Sequence, residues 1–425
     1  AAPLNPNYKS DEYEFYLNDL KPKIVLVEPN STNSVVDVAK KLKIPVCEIK
    51  IKKNQPTGFF DLFNKENNFN EPNENDEALV LHTSGTTSRP KIVPLTNKNI
   101  YSSSLNISKS LSLSEKDHCL NIMPLFHIHG LIAIIASSMK SGASVCASSG
   151  FNALKFLELA KSEKITWYSG VPTMHQTIML RAEKNLELAK NLNLRLVRSS
   201  SASLPPAVFE KINKVFNCPV IEAYGMTEAT HQMTSNPLPP KKQKAGFVGI
   251  PAGPEVAIMN DNNQIMKNSE IGEICIKGNN VTSGYENNPE ANESSFSNGW
   301  FRTGDQGFFD KDGYLKISGR LKEIINKGGE KISPLEVDNV LMDHPSIEQA
   351  VCFGYEDKML GEDIATAIIL KEGINLNEAD LKIYAKEKLA KFKIPKKIFF
   401  VTEIPKGATG KLQRNVLAKK FGLNN

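Results

Sequence analysis

The chain has 425 residues, of which 40% are hydrophobic and 23% are charged, and its formal net charge is +5 at pH 7. These values are typical of a globular protein with room for roughly two to four domains. The longest apolar stretch, near residues 131–136, is far too short to span a bilayer. The positive charge is mild and interleaved with acidic residues, which argues against a nucleic-acid-binding surface.

Short apolar runs alternate with helical patterns through the first three quarters of the chain. The runs that predict strands span residues 23–27, 78–81, 118–122, 144–146, 165–168, 194–199 and 220–224. The patterns that predict helices span residues 35–42, 97–111, 155–164 and 207–215. Strands that alternate with helices in this way predict parallel sheets covered by helices.

The pattern changes around residues 246–284, where closely spaced short strands predict a small β subdomain. A turn-rich stretch follows, and helical patterns return at 334–342 and 377–389. The predicted fold class is α/β, with a large N-terminal domain of parallel-type sheets covered by helices, a small β subdomain, and a smaller α+β C-terminal domain. We place these domains at residues 1–321 and 323–425.

The segment 81–100 reads LHTSGTTSRPKIVPLTNKNI, in which a strand gives way to a run of hydroxyl groups. It is not a P-loop of the usual kind, because Lys91 lies six residues after Gly85 and follows a proline. The physics is related, however, since loop N–H groups and hydroxyls beside an ammonium group form a cradle for phosphate oxygens. The segment therefore indicates phosphate binding.

Four more segments follow in order: EAYGMTEATHQM at 222–233, GWFRTGDQGFF at 299–309, SGRLKEIINKGGEKISPLEVD at 318–338 and PKGATGKLQR at 405–414. Together the five resemble the motifs of the adenylate-forming superfamily, which includes acyl-CoA synthetases, 4-coumarate-CoA ligases, luciferases and peptide-synthetase adenylation domains. The resemblance covers nearly the whole chain. It implies an enzyme that joins a carboxylate to the α-phosphate of ATP, releases pyrophosphate, and passes the acyl group to the thiol of coenzyme A.

The resemblance implies an ATP site assembled from all five segments. The hydroxyl run would hold the β- and γ-phosphates, Tyr224 would line the adenine pocket, and Asp305 with Arg320 would contact the ribose. The residues assigned to ATP are Thr83, Ser84, Gly85, Thr86, Thr87, Lys91, Ser201, Ala202, Ser203, Glu222, Ala223, Tyr224, Gly225, Thr227, Asp305, Arg320 and Lys411.

The resemblance also implies the catalytic groups. Glu228 would hold Mg²⁺, a hard cation that prefers oxygen ligands. Lys411 would bridge the substrate carboxylate and a ribose oxygen and offset the negative charge that develops at phosphorus, where one such donor is worth about 3–4 kcal/mol. Thr227 and His127 complete the predicted catalytic set.

The C-terminal domain carries two groups that both have to reach one site. The resemblance assigns coenzyme A binding to Lys327, Gly328 and Gly329, and it places a hinge at Lys322. Lys411 lies in the same small domain as the glycine loop. We therefore expect a mobile lid that rotates about Lys322 and offers first Lys411 for adenylation, then the glycine loop for thioester formation.

The predicted acyl pocket lies between the segments MPLFHIHG, SSSASL and EATHQM. Relatives that take long apolar acids have small or apolar residues in these segments, whereas this chain has polar groups there. These groups are His127, His129, Ser201 and His231, of which we assign His127, Ser201 and His231 to the acyl substrate. The segments TEATHQMTSNPLPP and HTSGTTSRPK look like the oxalyl-CoA synthetase branch of plants and fungi, which predicts oxalate. A second carboxylate needs such donors, because an unpaired buried charge costs several kcal/mol.

Two other functions stay open at this point: a 4-coumarate-like or medium-chain fatty acyl-CoA ligase, and a catalytically silent nucleotide-binding or scaffold protein. Two departures from the family pattern bear on them. Ser88 and Ile92 stand where many relatives have glycine. The chain also begins with a sequence that resembles the interior of the N-terminal domain, so we expect the first segment of that domain to be missing and sheet edges to be exposed.

The six cysteines are scattered, and no two lie at the spacing of a metal site. Each lies in or beside apolar sequence, which predicts reduced thiols in a protein core. We therefore expect a cytoplasmic protein, although a peroxisomal association stays open, and a monomer or weak dimer whose partners are ATP, coenzyme A and a small carboxylic acid.

Overall fold

The computed structural model describes residues 1–51, 60–61, 71–83, 90–407 and 410–424, with only the backbone of residues 51, 60 and 61. Its α-helices are α1 (Ser10–Leu20), α2 (Val35–Lys41), α3 (Asn97–Ser110), α4 (Ser137–Lys140), α5 (Phe156–Ser162), α6 (Pro172–Lys184), α7 (Leu186–Lys190), α8 (Pro206–Phe216), α9 (Pro289–Ser295), α10 (Pro334–Met342), α11 (Glu378–Lys388) and α12 (Leu417–Lys420). A π-helical segment, His129–Ala136, precedes α4.

The strands are β1 (Val25–Val27), β2 (Val46–Glu48), β3 (Lys50–Ile51), β4 (Phe60–Asp61), β5 (Glu77–His82), β6 (Ile92–Thr96), β7 (His118–Asn121), β8 (Ser144–Ala147), β9 (Trp167–Gly170), β10 (Leu196–Ser199), β11 (Val220–Met226), β12 (His231–Ser235), β13 (Ile250–Pro251), β14 (Glu255–Met259), β15 (Gly272–Lys277), β16 (Phe296–Ser297), β17 (Trp300–Phe309), β18 (Leu315–Arg320), β19 (Ile325–Lys327), β20 (Glu330–Ile332), β21 (Ile347–Asp357), β22 (Gly361–Leu370) and β23 (Lys397–Phe400). None of the described helices is long and apolar enough to cross a membrane.

The largest sheet has seven strands in the order β13-β12-β11-β10-β9-β7-β8. Neighbouring strands from β11 to β8 are parallel, and β12 and β13 extend the sheet in antiparallel pairing. Buried apolar residues of α3, α5, α6 and α8 share one hydrophobic core with these strands. The predicted parallel-type sheet covered by helices is therefore confirmed.

Two central strands contain buried polar residues, and one of these strands extends beyond its predicted end. The apolar run 165–168 predicted a strand that ends at Tyr168, but β9 continues through Ser169, and all four of its residues are buried. β10 is also buried throughout although it contains Arg198. The apolar pattern ended the predicted strand before Ser169, because a polar side chain at that position is buried only through its contacts with other polar groups.

The hairpin β5–β6 carries the segment that the sequence assigned to phosphate. The backbone N–H of Thr83 donates to the carbonyl of Lys91 over 3.0 Å, which closes the base of the connection. Residues 84–89 lie outside the described part of the chain. After β6, Thr96 and Asn99 form reciprocal side-chain caps at the start of α3, so the hairpin enters the helix in a fixed direction.

The N-terminal residues form a small separate core. Strands β1 and β2 pair in parallel, and α1 and α2 pack together with them through Tyr13, Leu17, Val35 and Val38. The sequence predicted α2 but not α1. Only two residues of α1 are buried, so its apolar stripe is too short to give a clear helical period.

The predicted small β subdomain is confirmed and extends further along the chain than expected. Its strands run in the order β14-β15-β17-β16, and β18 pairs with β17, so the sheet continues to Arg320 instead of ending near residue 284. A single 3₁₀ turn, Leu321–Glu323, then leads into the next sheet. The hinge predicted at Lys322 lies in this turn, and the domain boundary there stays a prediction.

The C-terminal sheet has the order β20-β19-β22-β21, with β23 beside β22. Helices α10 and α11 pack on one set of its apolar side chains, and α12 packs on another. A buried ion pair joins the last part of the chain to α10: Arg414 Nη2 lies 2.6 Å from Asp338 Oδ2. The same guanidinium reaches Glu323 through Nε over 3.1 Å, and it also donates to the carbonyl of Cys352.

We predict that Arg414→Met destabilises the C-terminal domain by about 3–5 kcal/mol, because it leaves the Asp338 carboxylate buried without its partner. The measurement is urea unfolding combined with hydrogen exchange of β21 and β22. The control is Lys382→Met, which breaks the exposed pair with Glu378 and should cost less than about 0.5 kcal/mol. Equal losses in the two variants would show that the Arg414 pair is not structural.

Candidate active site

The site is built where β10 and β11 end. In open α/β sheets the loops after the carboxyl ends of parallel strands form the binding crevice. Gly225 lies near the end of β11, and a Cβ atom there would be only 1.8 Å from the carbonyl oxygen of His231. Glycine at 225 therefore lets β12 approach closely and brings His231 against the strand end. His231 itself has a φ of +93°.

Three strands bring Tyr224, predicted for the adenine pocket, together with the two predicted ribose-binding groups. Tyr224 donates from its hydroxyl to Asp305 Oδ2 over 2.5 Å, and Arg320 Nε donates to Asp305 Oδ1 over 2.9 Å. Asp305 and Arg320 are direct partners across β17 and β18. The Asp305 carboxylate is almost fully buried, and its charge raises the pKa of Arg320. A carboxylate has further lone pairs, so this one can still accept hydroxyl groups of a sugar.

Glu228 lies on the 3₁₀ turn Thr227–Ala229, directly after β11. Its Oε1 accepts a hydrogen bond of 2.8 Å from the hydroxyl of Tyr285, and Lys91 Nζ lies 4.3 Å from the centre of the Tyr285 ring. Burial raises the pKa of Glu228, which means that its charge is not fully compensated within the chain. A buried carboxylate of this kind fits Mg²⁺, which uses one or two carboxylates together with phosphate oxygens.

Lys91 and Thr83 are the described members of the predicted phosphate-binding set. The backbone N–H of Lys91 donates to Thr83 Oγ1 over 3.2 Å, and burial lowers the pKa of the Lys91 ammonium. Ser84, Gly85, Thr86 and Thr87 lie outside the described residues. The described part of the hairpin therefore places one ammonium group beside Glu228.

The other predicted ATP residues lie in two neighbouring segments. Ala202 and Ser203 are exposed in the loop after β10, and Ala223 accepts a hydrogen bond of 2.8 Å at its carbonyl from the Ser200 hydroxyl. Glu222 accepts from the backbone N–H of Gly246 over 2.9 Å, and burial raises its pKa to about 8. The Glu222 side chain thus holds the chain near Gly246 and gives no direct sign of a nucleotide contact.

A buried group of polar side chains lies on the other side of the site. His129 contacts Ser201 Oγ through Nδ1 over 3.0 Å and Ser169 Oγ through Nε2 over 2.7 Å. The centres of the His129 and His231 rings are 5.0 Å apart. Arg198 contacts His231 and is completely buried. Burial lowers the pKa of both histidines, and it lowers the pKa of His127 to about 3.

The sequence analysis missed Ser169 and Arg198 and left His129 unassigned. A signal was present for Arg198, because a charged residue interrupts the apolar strand sequence LRLVRSS. Charged residues are almost never fully buried unless they are paired, so a predicted buried strand with an arginine indicates a functional site. Ser169 and Tyr285 gave no comparable signal, since serine and tyrosine are common in strands and loops.

Lys411 reaches this group from the C-terminal domain. The hydroxyl of Thr173, at the start of α6, donates to the carbonyl of Gly410 over 3.0 Å and positions the loop that carries Lys411. Gly410 has a φ of +80°, and a Cβ atom there would lie 3.3 Å from Val171 Cγ2 and 3.4 Å from Thr173 Oγ1. The charge of Lys411 lowers the pKa of His127, and burial lowers the pKa of Lys411 itself to about 8. Lys411 and the predicted acyl residues therefore share one site.

Comparison with known proteins identifies the family. Residues 1–286 match the model of the AMP-binding enzymes, and residues 336–411 match the model of the AMP-binding enzyme C-terminal domain. The chain belongs to the AMP-binding enzyme family. The predicted membership of the adenylate-forming superfamily and the predicted fold class are thus confirmed.

Two similar curated proteins of this family are oxalate–CoA ligases. The chain is 46% identical to that of Arabidopsis thaliana over 99% of its own length and 83% of the relative. It is 43% identical to that of Saccharomyces cerevisiae over 99% of its length and 82% of the relative.

Two similar solved structures contain ATP. ATP-bound MatB from Rhodopseudomonas palustris has a TM-score of 0.89 at 28% identity, over 99% of this chain and 83% of that one. MenE from Bacillus subtilis, in complex with ATP and a magnesium ion, has a TM-score of 0.80 at 30% identity, over 97% of this chain and 82% of that one.

The predicted coenzyme A residues of this AMP-binding enzyme lie at the end of β19 and in the turn between β19 and β20. Gly328 and Gly329 have φ values of +59° and +95°, which favour glycine. Lys327 Nζ lies 2.6 Å from Asp363 Oδ1. Lys322 is exposed in the turn before β19, and its charge contributes to the lowered pKa of Lys91.

We predict that Lys411→Ala abolishes most adenylation but leaves thioester formation from a supplied acyl-adenylate largely intact. Gly410→Ala should lower adenylation in the same selective way, because the residue would be strained at positive φ and would displace the docked loop. Gly329→Leu should act in the opposite direction. The two half-reactions are measured separately by pyrophosphate exchange and by acyl-CoA formation. A parallel fall of both half-reactions in Lys411→Ala would contradict the scheme.

We predict that adenylation depends on the charge of Lys411. The ammonium form exists below its pKa of about 8 and is lost as pH rises through that value. The kcat/KM of adenylation should therefore fall above about pH 8, since this parameter reports the free enzyme. Lys411→Arg keeps its charge at high pH and should lose this inflection. The same inflection in Lys411→Arg would assign it to another group.

Proposed function

We propose that this chain is an ATP-dependent acid–thiol ligase that converts oxalate to oxalyl-CoA through oxalyl-adenylate, with release of AMP and pyrophosphate. The observation that carries the proposal is the polar group formed by the buried His129 and His231 and the half-buried Ser201 beside Lys411. The oxalate–CoA ligases of Arabidopsis thaliana and Saccharomyces cerevisiae, both more than 40% identical over nearly the whole chain, support the same substrate.

The first step requires two anions, oxalate and ATP, to be held close together. An oxygen of one oxalate carboxylate attacks the α-phosphorus of ATP, and the bond to pyrophosphate breaks. Lys411 offsets the charge at the attacking carboxylate and at phosphorus, while Lys91 and the hydroxyl run Thr83–Thr87 hold the leaving phosphates. Glu228 would hold Mg²⁺, which neutralises phosphate charge when it is bound, and Thr227 lies beside it on the same turn.

The nucleoside end of ATP is held by residues of two sheets. Asp305 accepts the ribose hydroxyls, because Tyr224 and Arg320 orient its carboxylate and leave lone pairs unused. Tyr224 and Gly225 form one wall of the adenine pocket, and the loop from Ser201 to Ser203 forms the other. Glu222 supports the adenine pocket by accepting a hydrogen bond from the backbone N–H of Gly246.

The second step uses a different loop of the C-terminal domain. The thiol of coenzyme A loses its proton and attacks the oxalyl carbonyl carbon, and the bond to AMP breaks. The turn at Lys327, Gly328 and Gly329 guides coenzyme A to the site after the domain rotates about Lys322. The exposure of Lys322 in a short turn between two sheets supports this hinge.

The acyl side of the site suits a small acid with a second charge. The second carboxylate of oxalate ends against His231 and Ser201, and His127 lies near the reacting carboxylate. An apolar acid would leave these buried donors without partners, and discrimination of this kind can reach about 10⁴–10⁵. A predominantly apolar pocket would favour hexanoate or 4-coumarate instead.

We predict steady-state AMP and pyrophosphate release with oxalate, and much slower release with malonate, acetate, hexanoate and 4-coumarate. His231→Ala should lower kcat/KM for oxalate by a factor on the order of 10–10³ and leave ATP binding almost unchanged. His344→Ala, in the C-terminal domain, is the matched control and should keep full activity. Turnover of hexanoate or 4-coumarate equal to that of oxalate would favour a general acyl-CoA ligase, and no turnover with any acid would favour a scaffold protein.

A further inference from the structure

The side chain of Arg198 is completely buried, yet no carboxylate forms an ion pair with it in the described part of the chain. Its Nη1 donates to Ser169 Oγ over 3.3 Å, and its Nη2 donates to Gln232 Oε1 over 3.3 Å and contacts His231 Nδ1 over 3.4 Å. Its Nε has no hydrogen-bond partner among the described residues. A buried guanidinium without an anion is costly, so its position needs an explanation.

The contact with His231 determines which nitrogen of that ring carries the proton. Arginine has only donors, so the 3.4 Å contact requires His231 Nδ1 to be an acceptor. In a neutral imidazole the other nitrogen is then protonated. Burial and the charge of Arg198 both lower the pKa of His231, so the ring is neutral. His231 therefore offers an Nε2–H donor.

A second path runs from Arg198 through Ser169 and His129 to Ser201. Ser169 Oγ accepts from Arg198, so its own proton is available for His129 Nε2 at 2.7 Å. His129 is neutral for the same reason of burial, so its proton lies on Nδ1 and is donated to Ser201 Oγ at 3.0 Å. The hydroxyl proton of Ser201 is then free to point away from His129.

We propose that Arg198 is the positioning residue for the second carboxylate of the acid: through two hydrogen-bond paths it makes both His231 and Ser201 donors, and its charge compensates the substrate's remaining negative charge. This inference rests on the proposed function. Adenylation removes the charge of only one carboxylate, so oxalyl-adenylate keeps an anion on this side of the site. Arg198 and that anion then compensate each other's burial.

Oxamate provides a matched probe, because it has the size of oxalate and carries an amide in place of one carboxylate. The experiment measures kcat and KM for acid-dependent AMP release with oxalate and with oxamate. In the wild-type protein we expect a strong preference for oxalate. Arg198→Met keeps most of the side-chain volume and removes the charge and both paths, so we expect kcat/KM for oxalate to fall by a factor on the order of 10²–10³.

The ratio of oxalate to oxamate activity distinguishes a positioning role of Arg198 from a purely structural role. General damage lowers the rates with both acids, whereas loss of the Arg198 charge should reduce the ratio of oxalate to oxamate activity by at least about tenfold. Arg198→Lys should restore part of the ratio, because it keeps the charge but cannot donate to Ser169 and His231 in the same planar geometry. The KM for ATP should stay unchanged in both variants.

The control is Arg195→Met. Arg195 immediately precedes β10 and lies 2.8 Å from Asp117, so its loss tests the effect of a missing arginine at the same strand without touching the polar group. This variant should keep the wild-type ratio. Should Arg198→Met not fold, Ser169→Ala interrupts only the path to Ser201 and should lower the ratio to a smaller extent.

The outcomes distinguish this inference from the proposed function. If the wild-type protein turns over oxalate and both Arg198→Met and Ser169→Ala keep the wild-type ratio, Arg198 is structural and only this inference is wrong. If the wild-type protein does not turn over oxalate, the proposed function is wrong and the inference is wrong with it. A ratio that falls in Arg198→Met, recovers in part in Arg198→Lys and persists in Arg195→Met supports both.

Discussion

The carboxylate of Asp305 is the point at which the parts of the molecule are joined. It accepts the hydroxyl of Tyr224 from the central sheet and the guanidinium of Arg320 from the last strand of the small sheet. Hydrogen bonds to charged groups contribute about 1.5–3 kcal/mol each. Because Arg320 immediately precedes the 3₁₀ turn that leads into the next sheet, this junction also fixes the place from which that sheet begins. The position of Lys411 relative to the strand ends depends on it.

Burial of charge is the second organising constraint. Lys91, Lys411 and Arg198 all have pKa values lowered mainly by burial, and Glu228 has its pKa raised by burial. The folded chain therefore holds several ionic groups in an environment that disfavours their charge. Anions and a cation that entered the site would relieve that cost. Such preorganised charges stabilise a developing negative charge without having to reorient.

More of the fold than of the candidate site could be predicted from the sequence. Alternating apolar runs located β7, β10 and β11 to within a few residues, because strand interiors are apolar wherever a core surrounds them. The sequence assigned Asp305 to the ribose and Glu228 to Mg²⁺ only through family resemblance, and no local pattern indicated their contacts with Tyr224 and Tyr285. The geometry shows why they meet, but their roles with ATP stay predictions.

What the sequence could not supply were contacts between distant segments. Ser169, Arg198 and His129 lie in three different elements, and nothing in the local pattern indicates that a hydrogen-bond path joins them. Tyr285 reaches Glu228 across 57 positions of the chain. The docking of Gly410 on Thr173 joins residues 237 positions apart. Such contacts depend on tertiary packing, which a periodic pattern does not encode.

The Thr173–Gly410 contact also bears on how long the lid stays in one orientation. A neutral hydrogen bond contributes only about 0.5–1.5 kcal/mol, and about 1.4 kcal/mol changes an equilibrium constant tenfold. A single contact of this strength favours one orientation of the C-terminal domain without preventing the other. In the rotation proposed above, departure of pyrophosphate would remove negative charge that attracts Lys411, and this would favour release of the Thr173–Gly410 contact. The weakness of this contact would then be what lets one domain serve two reactions in each turnover.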